Sequence, residues 1–71
     1  MSLLTITAEY ESLDAMRNTK EDLVGKGIEQ EHIYIDEDEH LVKVAVPSTI
    51  ESEITEILNR HKPTRLFESK Q

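Results

Sequence analysis

The 71-residue sequence contains no cysteine, only two glycines and only two prolines. Without cysteine, neither a disulfide nor a thiolate-bound metal can reinforce the fold. A chain this short buries a smaller fraction of its surface than a large domain does, so we expect a thin margin of stability. We therefore expect a single domain over residues 1–71, stabilised by strong local folding signals or by a partner subunit.

Basic residues and long apolar runs are also scarce. Eight Lys and Arg residues stand against fifteen Asp and Glu, giving a formal net charge of −7. Such a surface repels phosphate backbones, so we expect no nucleic-acid partner. No segment approaches the roughly 20 apolar residues that span a bilayer, and residues 1–6 lack the basic flank of a signal peptide. These features predict no membrane partner and, by default, a cytoplasmic protein.

The sequence does contain apolar residues that alternate with polar ones, the pattern of half-buried strands. Alternation predicts a first strand that ends near residue 10, a hairpin over 33–46 and a last strand over 64–68. The last strand is expected to turn Leu66 inward and Arg65 and Phe67 outward. A strand and a helix precede the hairpin, and a helix and a strand follow it.

Local signals mark the ends of the two helices. Ser12 is expected to cap the first helix, and Gly27 to end it in the left-handed conformation. Ser48 and Glu51 have the spacing of a capping box at the start of the second helix, and Pro63 stops it. The predicted inward stripe of the first helix is Leu13, Met16, Lys20, Leu23, Val24 and Gly27. That of the second is Ile50, Ile54, Ile57, Leu58 and His61.

Two charged interactions are also expected on these helices. Asp22 and Lys26 have the spacing of an i,i+4 ion pair within the first helix. His61, in the last turn of the second helix, is placed to interact with the negative end of the helix dipole.

The order of these segments predicts an α+β fold of the ferredoxin-like βαββαβ type. Two right-handed crossovers would give a four-stranded antiparallel sheet of order 4-1-3-2, with two helices on one face. The other face of the sheet would be left open. Residues 69–71 are expected to form a disordered tail.

The hairpin turn holds the densest group of possible metal ligands. Asp36, Asp38 and His40 alternate with Glu37 and Glu39, and hard cations prefer carboxylate oxygens. An EF-hand loop would require glycine where the sequence has Leu41, so that motif fails. Since the run has no Gly or Asn, we expect a solvated loop of four or five residues. We assign no metal site and no cofactor.

No arrangement of catalytic residues is evident, so we expect no enzymatic activity. A cysteine nucleophile is absent, and Ser12, Ser48 and Glu51 are explained as helix caps. The segment Gly25-Lys26-Gly27 follows a helix rather than a strand, which does not match a phosphate-binding loop.

A family resemblance covers residues 4–35. The segment 8–15, Leu23, Gly27-Ile28 and the strand 33–35 give a strand, an aromatic residue, an acidic helix start, a glycine turn and a second apolar strand. In this order they resemble the small N-terminal domain of heat-induced general stress proteins. The resemblance implies a possible role in a stress response and supplies no catalytic residue.

The whole chain is also similar in size and element order to heavy-metal-associated and ACT domains. The metal-binding kind uses two cysteines in its first loop, where this sequence has residues 9–12, Glu-Tyr-Glu-Ser, so copper transport is excluded. Effector sites of the ACT kind have a glycine at the first junction between strand and helix, which is absent here.

The open face of the predicted sheet is the remaining candidate for function. An RNA-recognition sheet presents aromatic and basic residues, whereas here the central strands offer threonines, one lysine and one alanine. A mixed apolar face of this kind either stays solvated or buries itself against another protein. We favour a small non-enzymatic interaction module that forms a homodimer through this face or an edge strand. A regulatory domain that binds a ligand or cation near residues 36–40 is the alternative. The candidate contact residues are Leu3, Tyr34, Leu41, Ala45 and Phe67.

Overall fold

The computed structural model of the protein describes residues 3–70. In chain order, the elements are β1 (Leu3–Glu9), α1 (Leu13–Lys26), a 3-10 turn (Gln30–His32), β2 (Ile33–Asp36), β3 (Leu41–Pro47), a 3-10 turn (Ser48–Ile50), α2 (Glu51–Arg60) and β4 (Arg65–Lys70). No helix within this range is long and apolar enough to cross a membrane.

The four strands form one antiparallel sheet in the order β2-β3-β1-β4. The predicted α+β architecture, a four-stranded antiparallel sheet with two helices, is confirmed. Read from its other edge, the observed order is 4-1-3-2, so the predicted neighbours β4–β1, β1–β3 and β3–β2 are those seen. β2 and β3 are neighbours because a short hairpin turn joins them. The two longer connections contain the helices, and each crosses one strand: the connection from β1 to β2 crosses β3, and that from β3 to β4 crosses β1.

One side of the sheet and the two helices enclose the core. Helix α1 contacts β3, α2 contacts β1, and the helices contact each other, so both lie on the same side of the sheet. Alternate residues of the central strands point into this layer, as the sequence pattern predicted. Burial of each large aliphatic side chain contributes about 1.5–3 kcal/mol. The core residues are Ile6, Ala8, Tyr10, Met16, Leu23, Ile33, Val42, Val44, Val46, Ile54, Ile57 and Leu58.

Both predicted caps of α1 are confirmed. The Ser12 hydroxyl accepts a hydrogen bond from the backbone N–H of Ala15 at 3.1 Å. Gly27 has φ 110°, and the next residue, Ile28, donates its N–H to the Leu23 carbonyl at 3.1 Å. These two bonds close the first and last turns of the helix.

The predicted inward stripe of α1 is only partly correct. Met16 and Leu23 are buried, but Leu13 and Val24 are 42% and 37% exposed. Thr19 is fully buried instead, and its hydroxyl donates to the Ala15 carbonyl at 2.8 Å. A buried threonine is tolerated because this bond satisfies its hydroxyl.

The capping box predicted at Ser48 and Glu51 is wrong. A 3-10 turn over Ser48–Ile50 precedes α2, and the backbone N–H of Glu51 donates to the Ser48 carbonyl. The helix begins at Glu51, and its N-cap residue, Ile50, makes no side-chain cap hydrogen bond. In a capping box the Glu51 N–H would donate to the Ser48 hydroxyl. The 3-10 turn gives the same N–H a partner in the Ser48 carbonyl instead.

The last strand has the predicted orientation but is longer than predicted. Leu66 pairs with Ala8 and packs against the core, while Phe67 pairs with Thr7 on the opposite face. The disordered tail predicted for 69–71 is wrong for residues 69 and 70, because β1 offers them backbone partners: Ser69 pairs with Thr5. Residue 71 lies outside the described residues.

Candidate interaction surface: the open face of the sheet

The side of the sheet away from the helices, called here the open face, is organised in rows that cross the strands. Each row follows from the strand register and from the alternation of side chains along each strand. The first row comprises Phe67, Thr7, Lys43 and Tyr34. The second comprises Arg65, Glu9, Leu41 and Asp36. The third comprises Ser69, Thr5 and Ala45, and the fourth Leu3 and Pro47.

All five candidate contact residues lie on the open face. Tyr34, Phe67 and Leu3 are 57%, 44% and 38% exposed, while Leu41 and Ala45 are half-buried. They do not form one continuous patch, because Tyr34 and Phe67 occupy opposite edges of the sheet, about 14 Å apart at three strand spacings. Thr7 and Lys43 lie between them.

The charges of the open face cancel. Among the described side chains it carries two acids, Glu9 and Asp36, and two bases, Lys43 and Arg65. Arg65 lies 4.0 Å from the Glu9 carboxylate, and its guanidinium is 5.6 Å from the centre of the Phe67 ring. The excess of negative charge that gives the chain its net −7 therefore lies on other surfaces.

The two edges of the sheet are poor sites for pairing with another strand. The β2 edge has only four residues, Ile33–Asp36. The β4 edge carries the charged residues Arg65 and Glu68. Short and charged edge strands discourage the addition of a further strand. The open face is therefore better suited than either edge to contact a partner.

The acidic turn has four residues, 37–40, within the predicted length, and two of the candidate ligands, Asp36 and His40, make structural contacts. The Asp36 carboxylate accepts the backbone N–H of Glu39 at 3.1 Å. His40 has φ 58°, and its ring Nδ1 lies 3.1 Å from the Tyr10 carbonyl oxygen. Nowhere in the described range 3–70 do three or more His, Asp or Glu side chains form a group that could hold a metal ion. The weak candidates Asp36, Asp38 and His40 are therefore not assembled into a site.

Polar contacts between the helices replace the ion pair predicted within α1. Asp22 and Lys26 do not pair with each other as expected. The Asp22 carboxylate instead lies 2.6 Å from His61 Nε2, and the Lys26 ammonium lies 2.9 Å from the Glu53 carboxylate. His61 therefore contacts a specific acid on α1, which brings the two helices together. Asp22 and Lys26 each find an oppositely charged or hydrogen-bonding partner on or directly after α2 rather than on α1. Spacing along one helix does not reveal a partner on another helix.

Two features of the open face were missed from the sequence. The contact between Arg65 and Glu9 depends on the register of β4 against β1, which places these residues opposite each other. The pattern indicated that Arg65 points outward, but no pattern within one strand fixes its partner on another strand. Asp36 is not among the predicted contact residues, although alternation with Ile35 places it on the open face.

Comparisons of the chain with family models, with curated proteins and with solved structures find no match. The resemblance to the stress-protein domain stays a prediction. Function is therefore inferred from the geometry and charge of the open face.

Proposed function

We propose that this protein is a small non-enzymatic interaction module, with a ferredoxin-like fold, that forms a homodimer through its open face. One observation supports this most directly: the open face has no net charge, on a chain whose net charge is −7. Two copies repel each other when their acidic surfaces meet. Contact through the open face avoids this repulsion, so charge favours that orientation over others.

The side chains on this face support the same proposal. Tyr34 and Phe67 are large, exposed aromatic residues, and aromatic residues are enriched at protein interfaces. The half-buried Leu41 and Ala45 lie on β3 on either side of Lys43 and add apolar area. The stress-response role and the cytoplasmic location remain predictions from the sequence.

The size of the face sets the expected strength of the dimer. The four strands have four to seven residues. At a spacing of about 4.8 Å they give a flat area of at most roughly 19 Å by 23 Å. That area, about 440 Å², is roughly half of the ~800 Å² per partner that a standard specific interface buries, and it falls in the range of weak, transient contacts. We therefore expect a weak dimer that forms as the protein concentration rises.

Ala45→Lys tests the proposal, because it adds a charge near the middle of the open face, on the side of β3 that points away from the core. We expect the wild-type molar mass, measured by light scattering after gel filtration, to rise with concentration toward that of a dimer. The Ala45→Lys variant should remain a monomer over the same range, because an added lysine there must lose its hydration and has no acid beside it on the open face.

Leu13→Lys is the matched control, because Leu13 is 42% exposed on α1, away from the open face. This variant should associate as the wild type does. A wild-type protein that stays monomeric at every concentration contradicts the proposal. Equal dimerisation of all three proteins places the contact on another surface and likewise contradicts it.

A further inference from the structure

The rows of the open face also indicate how two copies fit together, and this inference rests on the proposed function. We propose that the copies stack open face to open face about a two-fold axis that runs parallel to the strands, between β1 and β3. Such an axis exchanges the two edges of the sheet. β4 of one copy then lies over β2 of the other, and β1 lies over β3.

This arrangement makes the first row complementary to itself. Phe67 of one copy lies opposite Tyr34 of the second copy, and the two-fold axis repeats this contact at the other edge. Aromatic pairs prefer ring centres about 4.5–7 Å apart, a distance that two long side chains can reach between sheets packed about 10 Å apart. Thr7 lies opposite Lys43, so the two lysines are kept apart.

The second row adds a contact between opposite charges. Arg65 of one copy lies opposite Asp36 of the second copy, again twice. The contact of Arg65 with Glu9 is 4.0 Å long, and a guanidinium has five N–H donors, so Arg65 can contact both acids. In the remaining rows, Thr5 lies opposite Ala45 and Leu3 lies opposite Pro47.

A two-fold axis perpendicular to the strands gives a poorer match. If it passes through the first row, Lys43 lies opposite Lys43 of the second copy. If it passes through the second row, both Asp36 and Arg65 face their own copies. If it passes between these rows, Asp36 lies opposite Tyr34 and Lys43 opposite Leu41, with no opposite charge to compensate the lost hydration. Of the axes compared, only the parallel one pairs opposite charges and also pairs ring with ring.

The absence of cysteine from the chain permits a direct test by cross-linking. The single-cysteine variants Phe67→Cys and Tyr34→Cys would be treated with the shortest bis-maleimide reagent, alone and as an equimolar mixture. We expect a cross-linked dimer in the mixture and little or none in either variant alone. With the parallel axis, two copies of residue 67 lie on opposite edges of the dimer, about 14 Å apart across the sheet.

Glu56→Cys is the control for random collision, because the Glu56 side chain is 80% exposed on α2. Mixed with Tyr34→Cys, it should give no cross-linked dimer. Cross-linking of Phe67→Cys with itself indicates the perpendicular axis and overturns the proposed arrangement while leaving the homodimer intact. Monomeric wild type in light scattering instead contradicts the proposed function itself, which separates the two failures.

A second measurement covers the case in which loss of an aromatic residue prevents association. Arg65→Glu and Asp36→Lys should each be monomeric where the wild type is dimeric, because like charges then face each other. An equimolar mixture should recover the dimer, because the mixed pair places opposite charges at both contacts. Circular dichroism would confirm that both variants fold, since Asp36 also accepts the Glu39 N–H. A mixture of folded variants that stays monomeric, while the wild type dimerises, overturns the proposed arrangement.

Discussion

Tyr10, directly after β1, connects three parts of the fold. Its side chain is 2% exposed, and its hydroxyl donates to the Leu58 carbonyl of α2 at 2.7 Å. Its backbone N–H donates to the His40 carbonyl at the end of the acidic turn, at 2.9 Å. Burial raises the pKa of Tyr10 above its ordinary value of 10.0, and a hydrogen bond with Thr19 opposes this effect only in part.

This raised pKa predicts a loss of stability in alkali. Below pH 10.0, the ordinary pKa, the phenol is neutral in both the folded and the unfolded chain, so its contribution is fully present. Above that pH the unfolded chain loses its proton first, and the free energy of unfolding falls until the folded pKa is passed. Urea denaturation at a series of pH values should show this decline.

A Tyr34→Phe background isolates the spectroscopic signal, because Tyr10 is then the only tyrosine. The ultraviolet absorbance of tyrosinate should appear together with unfolding. If it appears near the ordinary pKa while circular dichroism still shows the folded protein, the inference about Tyr10 is wrong.

Two carboxylates, Glu51 at the start of α2 and Glu68 on β4, lie close together. The pKa of Glu68 is raised above its usual 4.5, chiefly by its hydrogen bond with Glu51 and further by desolvation and the charge of Glu51. The stabilising contribution of the shared proton is present below the unfolded pKa and is lost as pH rises through the folded value. At neutral pH the two carboxylates repel each other.

We therefore expect Glu68→Gln to raise the thermal midpoint slightly at neutral pH, because it removes this repulsion. The gain should shrink as the pH falls toward 4.5, the usual pKa of this group. Glu31→Gln makes the same change of charge at an exposed site and controls for the net charge of the chain. If both variants raise the thermal midpoint equally at all pH values, the effect comes from the net charge of the chain alone.

At the scale of elements, the end of α1 contains two glycines with different roles. Gly27 has φ 110°, whereas Gly25 lies within the helix, and an added Cβ at either position meets no described atom within 4 Å. Gly27→Ala should destabilise the protein by about 1–2 kcal/mol, because alanine is strained in the left-handed region. Gly25→Ala should stabilise it by up to about 1 kcal/mol, because alanine is a better helix former.

Urea denaturation of the two variants would measure these opposite effects, and each variant controls for the other. The same sign for both would show that backbone conformation does not govern this turn. Space is not the issue, since both sites are open.

Signals confined to a few neighbouring residues predicted their elements well. Ser12 and Gly27 each act through bonds to residues three or four positions away, which the sequence displays directly. Alternation along Val42, Val44 and Val46 likewise fixed the inward face of β3. The loop 37–40 had the expected length because the run lacks residues that favour a two-residue turn.

Predictions failed where a choice between partners depends on the assembled fold. Ser48 had the correct spacing for a cap, yet a 3-10 turn satisfied the same donor. Lys26 paired with Glu53 on α2 rather than with Asp22 on its own helix. On the open face, alternation placed every candidate residue correctly, but the rows required the register between strands, which no single strand encodes.

At the scale of the whole molecule, charge is distributed unevenly. The open face is neutral among its described side chains, so the excess of negative charge that gives the chain its net −7 lies on other surfaces. This difference gives the protein two distinct sides, one that repels other copies and one that does not. Added salt should weaken the repulsion between the acidic sides, because screening acts most strongly on exposed charges.

The pairing of residue 4 with residue 70 has a further consequence. It brings the beginning of β1 beside the end of β4, so the described chain enters and leaves the fold at the same corner. A short flexible linker there could join the two strands, and new ends could open within the exposed turn 37–40. We expect such a circular permutant to fold with the same far-ultraviolet circular dichroism. A permutant that remains unfolded would show that the intact hairpin is required to begin folding.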